Sequence, residues 1–267
     1  MLLFAQSMVF LAGLTGILFL VRKWPASFLV SRILAIVSIF AWSAWLFYAG
    51  FSFHYCVLLD PWGVMGVFAI AVIAMSFWAG KRYQTPRVLI GALVLLTLAI
   101  ILGRIFFPGP GDLEMKITWK LALHILFTSS GFAILAVGCV VGILILLRTR
   151  ILKSIDWAFK PEIPWPSLTA LDNLFFNTVG LGILLLSVGI GLGVWLLPGM
   201  NLKGPWYEDP KVILSTLGWG LYGWVWVSRK RRGFYSWLIV AIATLGYIFI
   251  LLGFFLSNLI ATGFHRF

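Results

Sequence analysis

The chain has 267 residues, of which 62% are hydrophobic and only 10% charged, with a mean hydropathy of +1.05. That composition excludes a soluble globular domain, and continuous apolar runs near the roughly 20 residues of a bilayer-crossing helix exclude a barrel of alternating strands. The formal net charge of +12 raises nucleic acid as a partner, an option that the distribution of the charge removes.

Eight apolar spans are predicted in chain order, at roughly 2–21, 29–50, 62–80, 87–107, 118–147, 172–197, 211–228 and 234–257. Pro25, Pro61, Pro86, the Pro108–Gly111 turn, Pro161 to Pro166, Pro198 and Pro210 separate them. The fold class read from this pattern is all-α: an integral membrane bundle of about eight transmembrane helices, one polytopic domain over residues 1–267. The connection from about 150 to 170 is the longest and has room for a short interfacial helix. Arg22 and Lys23 follow the first apolar run instead of preceding it, the reverse of a secretory signal. Cys56 and Cys139 form no CxxC pair and no disulfide framework.

Charge orients the bundle. One set of connections carries Arg22, Lys23, Arg32, Lys81, Arg82, Arg87, Arg148, Arg150, Lys153, Lys160 and Arg229 to Arg232. The other carries Arg104, Lys116, Lys120, Lys203, Lys211 and Arg266, so the basic residues divide fourteen to six. The positive-inside rule places the first set in the cytoplasm and both termini on the outer side of a cytoplasmic (inner) membrane. The net charge is then a topology signal, and no nucleic-acid partner is expected. His54, His124 and His265 all fall at or near the outer face, as does the loop Gly204–Asp209.

His124 lies about six residues into the fifth span, roughly 9 Å from its start. A histidine there either hydrogen-bonds a neighbouring helix or serves a site, since ionisable groups at membrane depth are usually functional. Each of His54 and His265 alone reads as an interfacial polar residue. Two imidazoles facing across an aromatic cleft are what bis-histidine haem ligation requires. Zinc competes, yet no Cys or His pair has structural-zinc spacing. Asp209 before Pro210 reads first as a helix N-cap, and Trp206 and Tyr207 as part of the outer aromatic belt. Ser215, Trp219, Tyr222 and Trp226 recur at helical spacing on one face of the seventh span, with Trp219 too deep for a belt. That face could floor a flat apolar macrocycle, whose carboxylates would find Lys203, Lys211, Arg104 or Arg266 at the rim. Gly189 and Gly193, four apart, read as close helix packing.

The run Trp206-Tyr207-Glu208-Asp209-Pro210-Lys211 followed by Trp219-Gly220-Leu221-Tyr222 resembles the tryptophan-rich WWD signature of the cytochrome c assembly protein family, which includes CcsA, CcmC and the HemX-like membrane proteins. Three further matches come in the same order: His124-Ile125 with Gly131-Phe132, Pro166-Ser167-Leu168 with Leu171-Asp172, and the terminal Gly263-Phe264-His265-Arg266-Phe267. Together they cover residues 118–267, and residues 1–117 match only in hydropathy.

The resemblance implies non-covalent haem (b-type) at the external face. His124 and His265 stand where the family holds its axial ligands, with His54 a weaker third candidate. Trp206, Tyr207, Asp209 and Trp219 stand where it holds the haem platform. It further implies apocytochrome c as a partner, a partner membrane subunit with an external domain, and a place in a cytochrome c haem-lyase (synthase) complex. Three features depart from the pattern. Trp206 is the one tryptophan left in the loop, Val227 replaces a frequent membrane histidine, and Gly131-Phe132 replaces Ser-Tyr. These departures point toward the HemX-like branch. Two alternatives stand beside this reading: a non-catalytic regulator touching a haem-biosynthesis enzyme through 148–160 and 229–232, and a small-molecule permease with structural histidines.

Overall fold

The computed structural model describes residues 1–53, 58, 60–106, 119–153, 166–197, 207, 209–232 and 237–259. Among these the chain forms eight helices and no strand: α1 Leu2–Arg22, α2 Pro25–Phe53, α3 Pro61–Tyr83, α4 Pro86–Phe106, α5 Trp119–Lys153, α6 Leu168–Leu196, α7 Pro210–Arg232 and α8 Trp237–Leu259. Helices α2, α3, α4 and α7 open on proline, whose missing N–H belongs to a group left unsatisfied at any helix start. Lys23 and Gln84, at φ of 58° and 50°, turn the chain between α1 and α2 and between α3 and α4. Ser167 caps α6 by accepting from the Ala170 amide at 3.1 Å, which accounts for the Pro-Ser-Leu motif. Helices α2 and α6 therefore start earlier than their apolar runs, because caps set helix ends where lipid does not. Residues 154–165, where an interfacial helix was expected, lie outside the described residues.

Seven of the eight helices are long and apolar enough to cross a membrane. Helix α7 has the length, 23 residues, while Trp219, Tyr222, Trp224, Trp226 and its glycines dilute its apolarity. The outward faces are apolar: Phe40, Phe47 and Phe51 are each at least 70% exposed, an arrangement stable in hydrocarbon and costly in water. The chain is a multi-pass membrane protein.

Helix α5 is the hub. It packs against α3, α4, α6 and α8, and its residues from Ala133 to Val141 are almost entirely buried. Its 35 residues span about 52 Å at 1.5 Å per residue, well beyond a hydrocarbon core of about 30 Å. Along α5 and α6 small residues let two backbones meet: a Cβ added at Gly131 would lie 2.9 Å from the Leu186 amide nitrogen. The glycine that departs from the Ser-Tyr pattern is thus required by the closeness of α6.

Side-chain contacts place the start of α1, the start of α3 and the ends of α4 and α8 at one end of the bundle. Arg104 donates to Gln6 Oε1 at 3.0 Å from Nε and stacks 4.5 Å from the Trp62 ring centroid. Phe106 meets Phe255 at 5.2 Å between ring centroids.

Candidate functional site

His124 is in the second turn of α5. Its Nδ1 lies 2.7 Å from the carbonyl oxygen of Gly189 on α6. A carbonyl only accepts, so Nδ1 carries the proton and donates, and in the neutral ring Nε2 holds the lone pair. That is the tautomer in which metal-bound histidines are usually held, with the far nitrogen donating to a carbonyl or carboxylate. One turn before it, Lys120 Nζ lies 4.1 Å from the Trp195 ring centroid, and Trp119 meets Trp195 edge to face at 6.3 Å. An aromatic pair and a cation therefore sit on the same two helices as the imidazole, just beyond it.

The register of α6 against α7 locates this group relative to the aromatic loop. Trp219 Nε1 donates to Ser187 Oγ at 2.9 Å, and Trp226 Nε1 lies 3.1 Å from the Cβ position of Gly180. Both antiparallel pairs put Gly193, and with it His124, level with Ile213 in the first turn of α7. Trp219 lies six residues further along, about 9 Å deeper. Its face of α7 is shared: Trp219 and Trp226 turn to α6, while Tyr222 is fully buried against Gly246 of α8.

Asp209 is 3% exposed and accepts from the Lys211 amide at 2.8 Å, making it the N-cap of α7. Tyr207 is 60% exposed. His54, Trp206 and His265 lie outside the described residues. Of the rim cations, Arg104 is engaged on α1 and α3 as described, Lys211 Nζ lies 5.5 Å from the Phe254 ring centroid, and Lys203 and Arg266 are outside the described residues. Among the described residues no three His, Cys, Asp or Glu side chains converge on a metal position. A groove of about 400 Å³ opens between α1 and α4, helices that carry none of the candidate ligands.

The profile described as "Cytochrome C assembly protein" matches residues 1–265. The chain belongs to the cytochrome c assembly protein family. The match takes in the first four helices of this family member, where the sequence motifs had shown hydropathy alone. Similar proteins include the cytochrome c biogenesis protein CcsA of Guillardia theta, 25% identical over 209 residues that cover 70% of this chain and 68% of that protein. The CcsA of Prochlorococcus marinus is 26% identical over 57% of the chain and 55% of its own length. The CcsA of a Synechococcus species is 30% identical over 43% of the chain and 33% of that protein. No solved structure matches the chain significantly.

Nothing in the sequence marks Ser187 or Trp195 as part of a site, Lys120 reads there only as one of the outer cations, and Gly189 and Gly193 read as packing. The four-residue glycine spacing does signal close approach, but nothing local says which helix approaches or which side chain fills the gap.

Proposed function

We propose that this family member binds haem non-covalently at the outer end of the bundle and hands it on in cytochrome c assembly. His124 and His265 would hold the iron, and the loop Trp206–Asp209 would give the flat apolar surface. The observation that carries the reading is the level of His124, the same along the bundle as the first turn of α7, where that loop delivers the chain. The imidazole fits the group: its Nδ1 is already engaged by a backbone carbonyl, so a metal would meet Nε2. Lys120, one turn away, suits a carboxylate of the macrocycle. Bound there, haem would supply the porphyrin to be transferred, while the protein holds, orients and partly shields it.

The outer side is assigned from the basic connections, which puts both termini outside the cytoplasmic membrane. A partner membrane subunit with an external domain would bring the apocytochrome, and the assembly would act as a haem lyase. The CcsA name of the relatives favours this over a regulatory role.

The test is the absorption spectrum of the detergent-purified protein after haem supply, with His124→Ala and His265→Ala. A Soret band is expected in the parent and is lost or shifted in each variant. No band in the parent would overturn the haem reading, and a band indifferent to both substitutions would overturn the ligands. Deletion in the host should remove c-type cytochromes; a changed level of a biosynthetic enzyme with normal cytochromes would favour the regulator.

A further inference from the structure

We propose that Gly189 and Gly193 together set which nitrogen of His124 coordinates and hold its ring in place, so that the glycine pair is a positioning device for the ligand as well as a packing motif. The role toward iron rests on the haem reading above; the tautomer does not.

Two independent observations meet at this ring. The first is the hydrogen bond of 2.7 Å from Nδ1 to the Gly189 carbonyl, available because a Cβ at Gly189 would fall 2.9 Å from the Thr128 amide nitrogen and 3.2 Å from its Cα. Only a glycine lets the α6 backbone come this near to α5. The second is the space under the imidazole. A Cβ added at Gly193 would lie 2.8 Å from Cε1 and 3.0 Å from Nδ1, against 3.7 Å from Nε2. The absent methyl is therefore replaced by the very edge of the ring that carries the hydrogen bond, while Nε2 is the ring nitrogen further from it.

The two glycines act on different coordinates. Alanine at 189 meets backbone and must push the helices apart. Alanine at 193 meets only a side chain, so the ring swings or lifts and the Nδ1–H loses its carbonyl. A donor bond at Nδ1 also makes the imidazole a stronger electron donor at Nε2, which favours the oxidised metal and lowers its reduction potential. Gly191, on the same helix, has nothing within 4 Å of its Cβ position and serves as the control.

The experiment uses the full chain in detergent, labelled with 15N-histidine, first without haem. The His124 resonances are assigned by their absence in His124→Ala. We expect the Nδ1–H tautomer in the parent and in Gly191→Ala, and its loss or mixing in Gly193→Ala. After haem supply, Gly193→Ala should bind about 10–100-fold more weakly, the usual cost of losing a ligand's outer partner, and its haem should have a higher potential. An Nε2–H tautomer in the parent, readable even if Gly193→Ala does not fold, overturns the proposal. So does a Gly193→Ala protein with parental tautomer, affinity and potential. A parent with the Nδ1–H tautomer and no Soret band leaves the positioning standing and overturns the haem reading alone.

Discussion

Trp219 on α7 and Ser187 on α6 are joined by a hydrogen bond of 2.9 Å, two residues from the carbonyl that holds His124. Positions two apart on a helix face nearly opposite ways, so α6 is a strut between the imidazole on one side and the indole on the other. Ser187 Oγ itself donates to the Ile183 carbonyl at 2.8 Å, which orients its lone pairs toward Trp219.

That relationship predicts a measurable coupling. Interhelical hydrogen bonds in membranes average about 0.6 kcal/mol, up to about 1.7. A cycle of Ser187→Ala and Trp219→Phe, followed by unfolding in detergent, should give a coupling within that range. A coupling of zero would show that the bond does not help hold α7 on α6.

Gly131→Ala should destabilise the protein by about 1–3 kcal/mol, the usual cost of overpacking, because its Cβ would meet the Leu186 amide nitrogen at 2.9 Å. Backbone cannot step aside as a side chain can. Gly220→Ala, with nothing within 4 Å, should leave stability unchanged or gain up to about 1 kcal/mol from helix propensity. Equal effects at the two sites in thermal unfolding would contradict the packing argument.

Asp209→Ala should cost about 1 kcal/mol by removing the acceptor for the Lys211 amide. Asp209→Asn keeps that acceptor but not the charge beside Lys211, so it should lose stability without losing the Soret band. A band lost in a folded Asn variant would give the carboxylate a direct role at the haem.

Lys120→Met should lower haem affinity several-fold and flatten its dependence on salt, since a cation near a carboxylate acts through screened Coulomb attraction. Titration at low and high ionic strength checks this. Loss of the cation over Trp195 adds about 0.5–1 kcal/mol of destabilisation.

Orientation is open to chemistry on whole cells. With Cys56 and Cys139 replaced by serine, an impermeant thiol reagent should label Tyr207→Cys and spare Lys153→Cys. The opposite pattern would invert the bundle.

By itself the sequence determined the class, the number of helices and most of their ends. Apolar runs, prolines and caps act on their own neighbourhood, and lipid demands that each helix close its own hydrogen bonds. It also marked His124 and the loop before Pro210, because a histidine at that depth and an acid before a proline are legible without a partner. The tertiary structure decided everything that needs two helices at once. It showed that the Gly189 carbonyl and Gly193 meet His124, that Tyr222 belongs to the α7–α8 contact, and that Trp195 and Lys120 pair about one turn beyond the imidazole on the same two helices. A glycine spacing announces that some backbone comes close, but which helix arrives is settled by packing across the whole bundle, and only then does a carbonyl on α6 choose the proton of a ring on α5.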